Sequence, residues 1–122
     1  MEFAQNVTAE RDALVALAVE FWRFGKIFQR LVTKLDAGER GRCESQFRWF
    51  KKKTEDVLNG VNLKIVNIEG QPFEPGMAAT PLNIAEFAEG DALVVEQMLE
   101  PVIMSEEGLV KMGTVTLRKV EA

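Results

Sequence analysis

Between Leu14 and Leu35, apolar residues recur at Leu14, Leu17, Phe21, Phe24, Phe28, Leu31 and Leu35, in steps of 3, 4, 3, 4, 3 and 4. A strand alternates every second residue, so this spacing cannot serve one. On a helix it draws a single stripe, the seam of a coiled coil or a helical bundle. Val15, Ala18 and Trp22 widen the stripe, which suits burial against more than one neighbour. Thr8 is the expected N-cap, with Glu10 and Asp12 at the positive end, and the helix is expected to reach about Asp36. Gly25 sits inside it at a cost of about 1 kcal/mol relative to Ala, and close approach of another helix is one reason for it.

Asp36-Ala37-Gly38 breaks this helix. A second is expected from about Glu39 to Asn59, where Cys43, Phe47, Phe50, Thr54 and Val57 continue steps of 4, 3, 4 and 3. Gly60 is expected to end it in the left-handed conformation. The first half is therefore a helical hairpin with an apolar seam on each arm. Two helices bury little by themselves. A second copy supplies the simplest cover, giving a four-helix bundle by dimerisation through Leu14, Leu17, Phe21, Phe24, Phe28, Leu31, Leu35, Phe47 and Phe50. The alternative is that the helices lie on the chain's own sheet.

The chain changes character at Gly60. All four prolines and six of the nine glycines lie from there on. The expected organisation is α+β: a helical hairpin over 1–59 and a small, mostly antiparallel β-domain over 60–122. Val61, Leu63 and Ile65 alternate, and Val66 and Ile68 switch parity, which suggests a bulge or two-sided burial. Leu82, Ile84 and Phe87 suggest a short strand, Glu89-Gly90-Asp91 a turn, and Ala92 to Leu99 a strand ended by Pro101. Val102 to Met104 and Leu109 to Met112 flank a hairpin loop, Ser105 to Gly108. Gly113 marks a bend before a last strand carrying Val115 and Leu117.

What the 122 residues lack narrows the chemistry. There is no histidine and no tyrosine, one cysteine (Cys43) and two serines (Ser45 and Ser105). Ser-His-Asp and Cys-His catalysis, imidazole metal sites, an intrachain disulfide and a thiolate zinc cluster are all excluded. No catalytic residue, cofactor or metal is expected, and the chain is not read as an enzyme. The net charge of −4 gives no overall basic footprint for nucleic acid. The longest apolar stretch, Ala13 to Val19, falls well short of the ~20 residues that span a bilayer. No signal peptide is recognised at the start, so the expected location is the cytoplasm, with neither membrane nor nucleic acid as partner. Asn6-Val7-Thr8 fits a glycosylation sequon and is read as a chance match.

Several constellations carry competing readings. Arg40, Arg42, Arg48, Lys51, Lys52 and Lys53 make the second helix basic. They are read as a solvated face paired i,i+4 through Glu44–Arg48, Lys51–Glu55 and Lys52–Asp56; contact with nucleic acid or an acidic partner is the alternative. Glu106-Glu107 and Glu86-Glu89-Asp91 lack the alternating spacing of a calcium loop and are read as solvated turns. Cys43 lies on the seam as a small apolar residue, and Trp22 and Trp49 are read as core or dimer packing, with an exposed partner surface as the alternative. Met77, Met98, Met104 and Met112 are read first as core filling. The loop Gln71-Pro72-Phe73-Glu74-Pro75-Gly76-Met77 is either a stiff protein-binding element or a buried connector.

The order is a helical hairpin, a Gly-Val step, a Pro-x-acid-Pro loop and then about forty residues of small β-domain ending in a Val-Thr-apolar strand. It resembles the C-terminal part of GrpE, the nucleotide exchange factor of DnaK-type chaperones. Asp56-Val57-Leu58 through Gly60-Val61 resembles that family's second bundle helix entering its β-wing, and Pro72-Phe73-Glu74-Pro75 its Pro-Leu-Asp-Pro loop. Val115-Thr116-Leu117 resembles its last strand. Ala78 stands where the family has His, Val102-Ile103 where it has Gly-Tyr, and Lys111 where it has Arg; the long N-terminal coiled coil is missing. The resemblance implies a homodimer that binds the chaperone's nucleotide-binding domain and releases ADP by favouring an open cleft. It implies contacts at Phe73, Pro75, Leu99 and Leu117, with Glu74 as a polar partner. A structural or adaptor homodimer of the same fold, without exchange activity, is the rival reading.

Overall fold

The computed structural model describes the backbone of residues 2–121 and the side chains of residues 8–121. Asn6 and Val7 of the sequon therefore lie outside the described side chains. The chain divides into two compact units, Met1–Lys64 and Ile65–Ala122. The first carries twelve Lys and Arg against nine Asp and Glu, the second three against ten, so the net charge of −4 is +3 in one unit and −7 in the other.

The first unit is a hairpin of α1 (Glu2–Val32) and α2 (Ala37–Asn59). Thr8 is not the N-cap: neither Gly nor Pro interrupts residues 2–7, and the helix runs through them from Glu2. The helix also stops at Val32, four residues before Asp36. Lys34 N–H donates to the Leu31 carbonyl at 3.0 Å and Leu35 N–H to that of Val32 at 3.1 Å, the tightened bonding of a closing turn. Asp36 then starts α2, accepting the Glu39 N–H at 2.9 Å. At the far end Gly60 is right-handed (φ −64°), which corrects the expected stop. Asn62 is the left-handed residue (φ 59°), and Leu63 N–H reaches back to the Leu58 carbonyl at 2.9 Å.

The arms meet through aromatic rings. Phe21 stacks with Phe47 (6.2 Å between centroids) and meets Phe50 edge-on (5.2 Å), and Phe28 stacks on Phe47 (5.8 Å). Gly25 is buried beneath this cluster. A Cβ there would lie 2.9 Å from the Phe47 ring, so the close approach is that of a side chain from the other arm.

The second unit holds two three-stranded sheets, formed by β1 (Lys64–Val66), β2 (Ala79–Pro81), β3 (Leu93–Glu100), β4 (Val102–Ser105), β5 (Gly108–Lys111) and β6 (Gly113–Lys119). Their orders are β1-β4-β5 and β2-β6-β3. β3 with β6 and β4 with β5 are antiparallel, whereas β2 joins β6 in parallel. Leu82, Ile84 and Phe87 do not form a strand. Ile84–Glu86 is a 3-10 turn, and Asn83 explains it. Its amide donates to the Leu117 carbonyl at 2.9 Å and accepts the Leu117 N–H at 2.8 Å, replacing the next rung of the ladder with a side chain. The parity switch at Val66 marks the end of β1, where Asn67 accepts the Glu69 N–H. Register shifts lie in β3 instead, where Glu96 and Leu99 have no partner in the register with β6, and in β5, where Val110 has none in the register with β4.

Gly113 begins β6 against the β3–β4 corner. A Cβ on it would come within 2.9 Å of Val102 Cγ2 and 3.0 Å of the Glu100 carbonyl. Val115 and Leu117 alternate inward from β6, joined in the core by Val95, Met98 and Ile103. Among the described residues, no helix is long and apolar enough to cross a membrane.

Candidate functional site

Two surfaces are built from the residues singled out by sequence, one in each unit. In the helical unit the heptad seam divides. Leu14, Phe21 and Phe28 face the other arm, where small residues intercalate at Ala18 and Gly25 and Val32 closes the row. The seam of the hairpin is therefore the series 14, 18, 21, 25, 28, 32. Leu17, Phe24 and Leu31 fall to one side of it and are exposed by 66%, 60% and 52%. Leu35 is also exposed. On α2, Phe47 is held between the arms, while Phe50, Trp49 and Val57 expose much of their surface. Leu17, Phe24, Trp49, Phe50 and Val57 line an open groove of about 710 Å³ together with Leu14, Ala18 and Phe21. Its charged groups are Glu20 on α1 and Lys53 on α2. Trp49, with Lys53 Nζ 5.9 Å from its ring centre, stands at the open rim and not in a core.

The basic helix does not build a single stripe. Arg40 closes the hairpin: its guanidinium donates to the carbonyls of Thr33 at 3.0 Å and Leu35 at 3.2 Å, in the turn that follows α1. Arg42 pairs with Glu39, and Lys52 with Asp56 at 3.5 Å. The expected Glu44–Arg48 and Lys51–Glu55 pairs are not formed. At about 100° per residue, Arg48, Lys51, Lys52 and Lys53 spread around the helix and are interleaved with Glu44 and Glu55.

In the β unit, the segment Glu69 to Phe73 is laid along the free edge of β3. Gly70 N–H donates to the Val95 carbonyl at 2.8 Å, Val95 N–H to that of Gln71 at 2.9 Å, and Phe73 N–H to that of Leu93 at 2.9 Å. Pro72, which has no N–H to give, bridges to Val94. The chain then turns over Pro75 and Gly76 (φ +93°), with Met77 N–H on the Glu74 carbonyl at 3.2 Å. Pro followed by left-handed Gly is the signature of a type II turn. The Met77 thioether folds back to accept the Glu74 N–H at 3.2 Å. Glu74 and Pro75 are exposed and Phe73 is half-buried, so the loop is neither a buried connector nor a loose tail.

The other two expected contact residues fare differently. Leu99 is half-buried at the second bulge of β3. Leu117 is 1% exposed, and its side chain belongs to the core; the alternation of β6 puts residues 113, 115 and 117 on one inward face. Phe73 bonds to β3 at Leu93, six residues before Leu99, which sets the two roughly 15–20 Å apart along the strand. Of the methionines, Met98 is fully buried and Met112 is exposed, so only part of the set fills the core. Asp91 accepts the Ala88 N–H at 2.9 Å, and Glu107 accepts the Ser105 hydroxyl at 2.8 Å, both within their turns. Among the described residues, no group of three or more acidic or cysteine side chains is placed to hold a metal ion.

Comparison of the chain with protein-family models, with curated proteins and with solved structures finds no match.

Proposed function

We propose that this chain is a GrpE-like co-chaperone of the cytoplasm. It binds the nucleotide-binding domain of a DnaK-type chaperone and promotes ADP release by favouring the open cleft. The β unit makes the contact through Phe73, Glu74, Pro75 and Leu99. The helical unit pairs with a second copy into a four-helix bundle. Exchange is mechanical: a partner that binds the open cleft more tightly than the closed one shifts the population toward release, and no catalytic side chain is required.

The observation that carries the reading is the loop Gln71 to Met77. It has the Pro-x-acid-Pro order, it is stiffened by two prolines and a type II turn, and it is stitched to β3 while leaving Glu74 and Pro75 exposed. Such a loop loses little freedom on binding. The groove over Leu17, Phe24 and Trp49 supports the dimer, because an apolar surface of this kind marks an interaction site. A second copy also offers opposite charges, since each groove carries Glu20 and Lys53 and any contact between them is made twice under two-fold symmetry.

The test is stopped-flow release of a fluorescent ADP analogue from the source organism's DnaK-type chaperone. The expected outcome is acceleration that rises with protein concentration. Absence of acceleration by a confirmed dimer selects the second reading, an adaptor homodimer of the same fold. That reading is favoured by the burial of Leu117, one of the four apolar contacts implied by the resemblance.

A further inference from the structure

β3 carries two extra residues, Glu96 and Leu99, relative to β6. A bulge re-aims the side chains around it, and it leaves a backbone group that must find a partner elsewhere. Beside the second bulge lies Met98, which is fully buried and stays in register with Val115. Its N–H donates to Glu69 Oε2 at 2.8 Å, across 29 positions of sequence. A carboxylate is a strong acceptor for a backbone N–H. Glu69 sits at the root of the Gln71 to Met77 loop, next to Gly70 (φ +85°), whose N–H is tied to the Val95 carbonyl. The first bulge falls beside that tie and the second beside the carboxylate. One short segment thus fixes both irregularities of β3 and carries the Phe73–Pro75 tip at its other end.

We propose that Glu69 is a positioning residue for the partner-binding face of the β unit. Its carboxylate clasps the Met98 amide, holds the second bulge of β3 in register, and thereby sets Leu99 relative to the Phe73–Pro75 tip. The inference rests on the reading of Leu99 as a contact residue. Its substitution acts through Leu99 and not through direct contact with the partner. Glu69→Gln keeps an acceptor oxygen in place; Glu69→Ala removes it.

The experiment uses the full chain and two readouts. The first is amide hydrogen exchange at Met98. Glu69→Ala is expected to speed it by about tenfold or more, with Glu69→Gln close to wild type, because a buried amide that loses its acceptor opens more readily. The second is titration calorimetry against the ADP-bound nucleotide-binding domain of the source organism's DnaK-type chaperone. Glu69→Ala is expected to weaken binding by about tenfold and Glu69→Gln by less than about threefold, and Glu69→Ala/Leu99→Ala to bind no more weakly than Leu99→Ala alone. Additive losses, or Glu69→Gln as weak as Glu69→Ala, overturn the positioning role. Unchanged exchange at Met98 in Glu69→Ala overturns the clasp itself. A wild-type chain that binds no chaperone overturns the proposed function and the contact role with it, while the exchange measurement still decides the clasp.

Discussion

The two units treat their large apolar side chains in opposite ways. In the β unit Val95, Met98, Ile103, Val115 and Leu117 are sealed inside a single chain. In the helical unit Leu17, Phe24, Leu31, Trp49, Phe50 and Val57 remain open, and α2 buries only Leu58 among its own side chains. The difference is one of geometry. A strand has two faces, so alternation assigns each residue to the core or to the outside. A helix with a 3.5-residue stripe presents a wider arc than one neighbouring helix covers. Position Phe21 meets the other arm while Phe24, one step along the same stripe, looks past it.

The largest expected effect tests the open half of this contrast. Replacing Leu17 and Phe24 together by Glu puts charge into the groove; the proposed dimer should weaken by about a thousandfold while the monomer keeps its helical circular dichroism. Sedimentation across a concentration series reads this, and an unchanged association constant would remove the groove from the interface. Next comes the sealed half. Leu117→Ala should lower the unfolding free energy by about 3 kcal/mol in urea, as a buried Leu does. A loss below about 1 kcal/mol would mean that the β unit tolerates openings as the helical unit does. Asn83→Ala should cost about 2 kcal/mol, because both backbone groups of Leu117 lose their partner in a partly buried setting. Asn83→Asp separates the two bonds, since a carboxylate accepts the N–H but gives nothing to the carbonyl. The smallest effect is expected at the seam of the hairpin. Gly25→Ala gains about 1 kcal/mol of helix propensity and loses a similar amount by pressing the Phe47 ring, for a net change within about 1 kcal/mol. A loss well beyond that would mean the aromatic cluster is as rigid as the β core.

Much of this fold was legible in the residues. The 3-4 spacing announced the helices, Asn59-Gly60 lay next to the end of the second, and Ser105 to Gly108 turned where Gly and two acids predicted. Missed features share a cause: they depend on side chains bonding across long separations. Asn83 reads as an ordinary loop residue until Leu117 is found beside it, 34 positions on. Glu69 reads as a surface acid until Met98 is found to need it. Arg40 reads as part of a basic run, yet it makes two bonds to the turn between α1 and α2. Thr8 erred in the other direction, because a residue with capping chemistry caps only where the helix actually starts. In the candidate site, the stiffness of the Phe73–Pro75 loop was readable from its prolines, but the burial of Leu117 required the register of β6.

The opposite net charges of the two units are concealed by the isoelectric point of the whole chain. In dilute salt, where fields reach roughly 30 Å at 0.01 M, the excess of acid on the β unit attracts a basic surface before any contact forms. At physiological salt that reach shrinks to about 8 Å, so orientation is chosen only in the last stage of approach. Ionic strength therefore acts on this chain as a selector of encounter geometry: it sets how often a partner arrives facing the unit it can use.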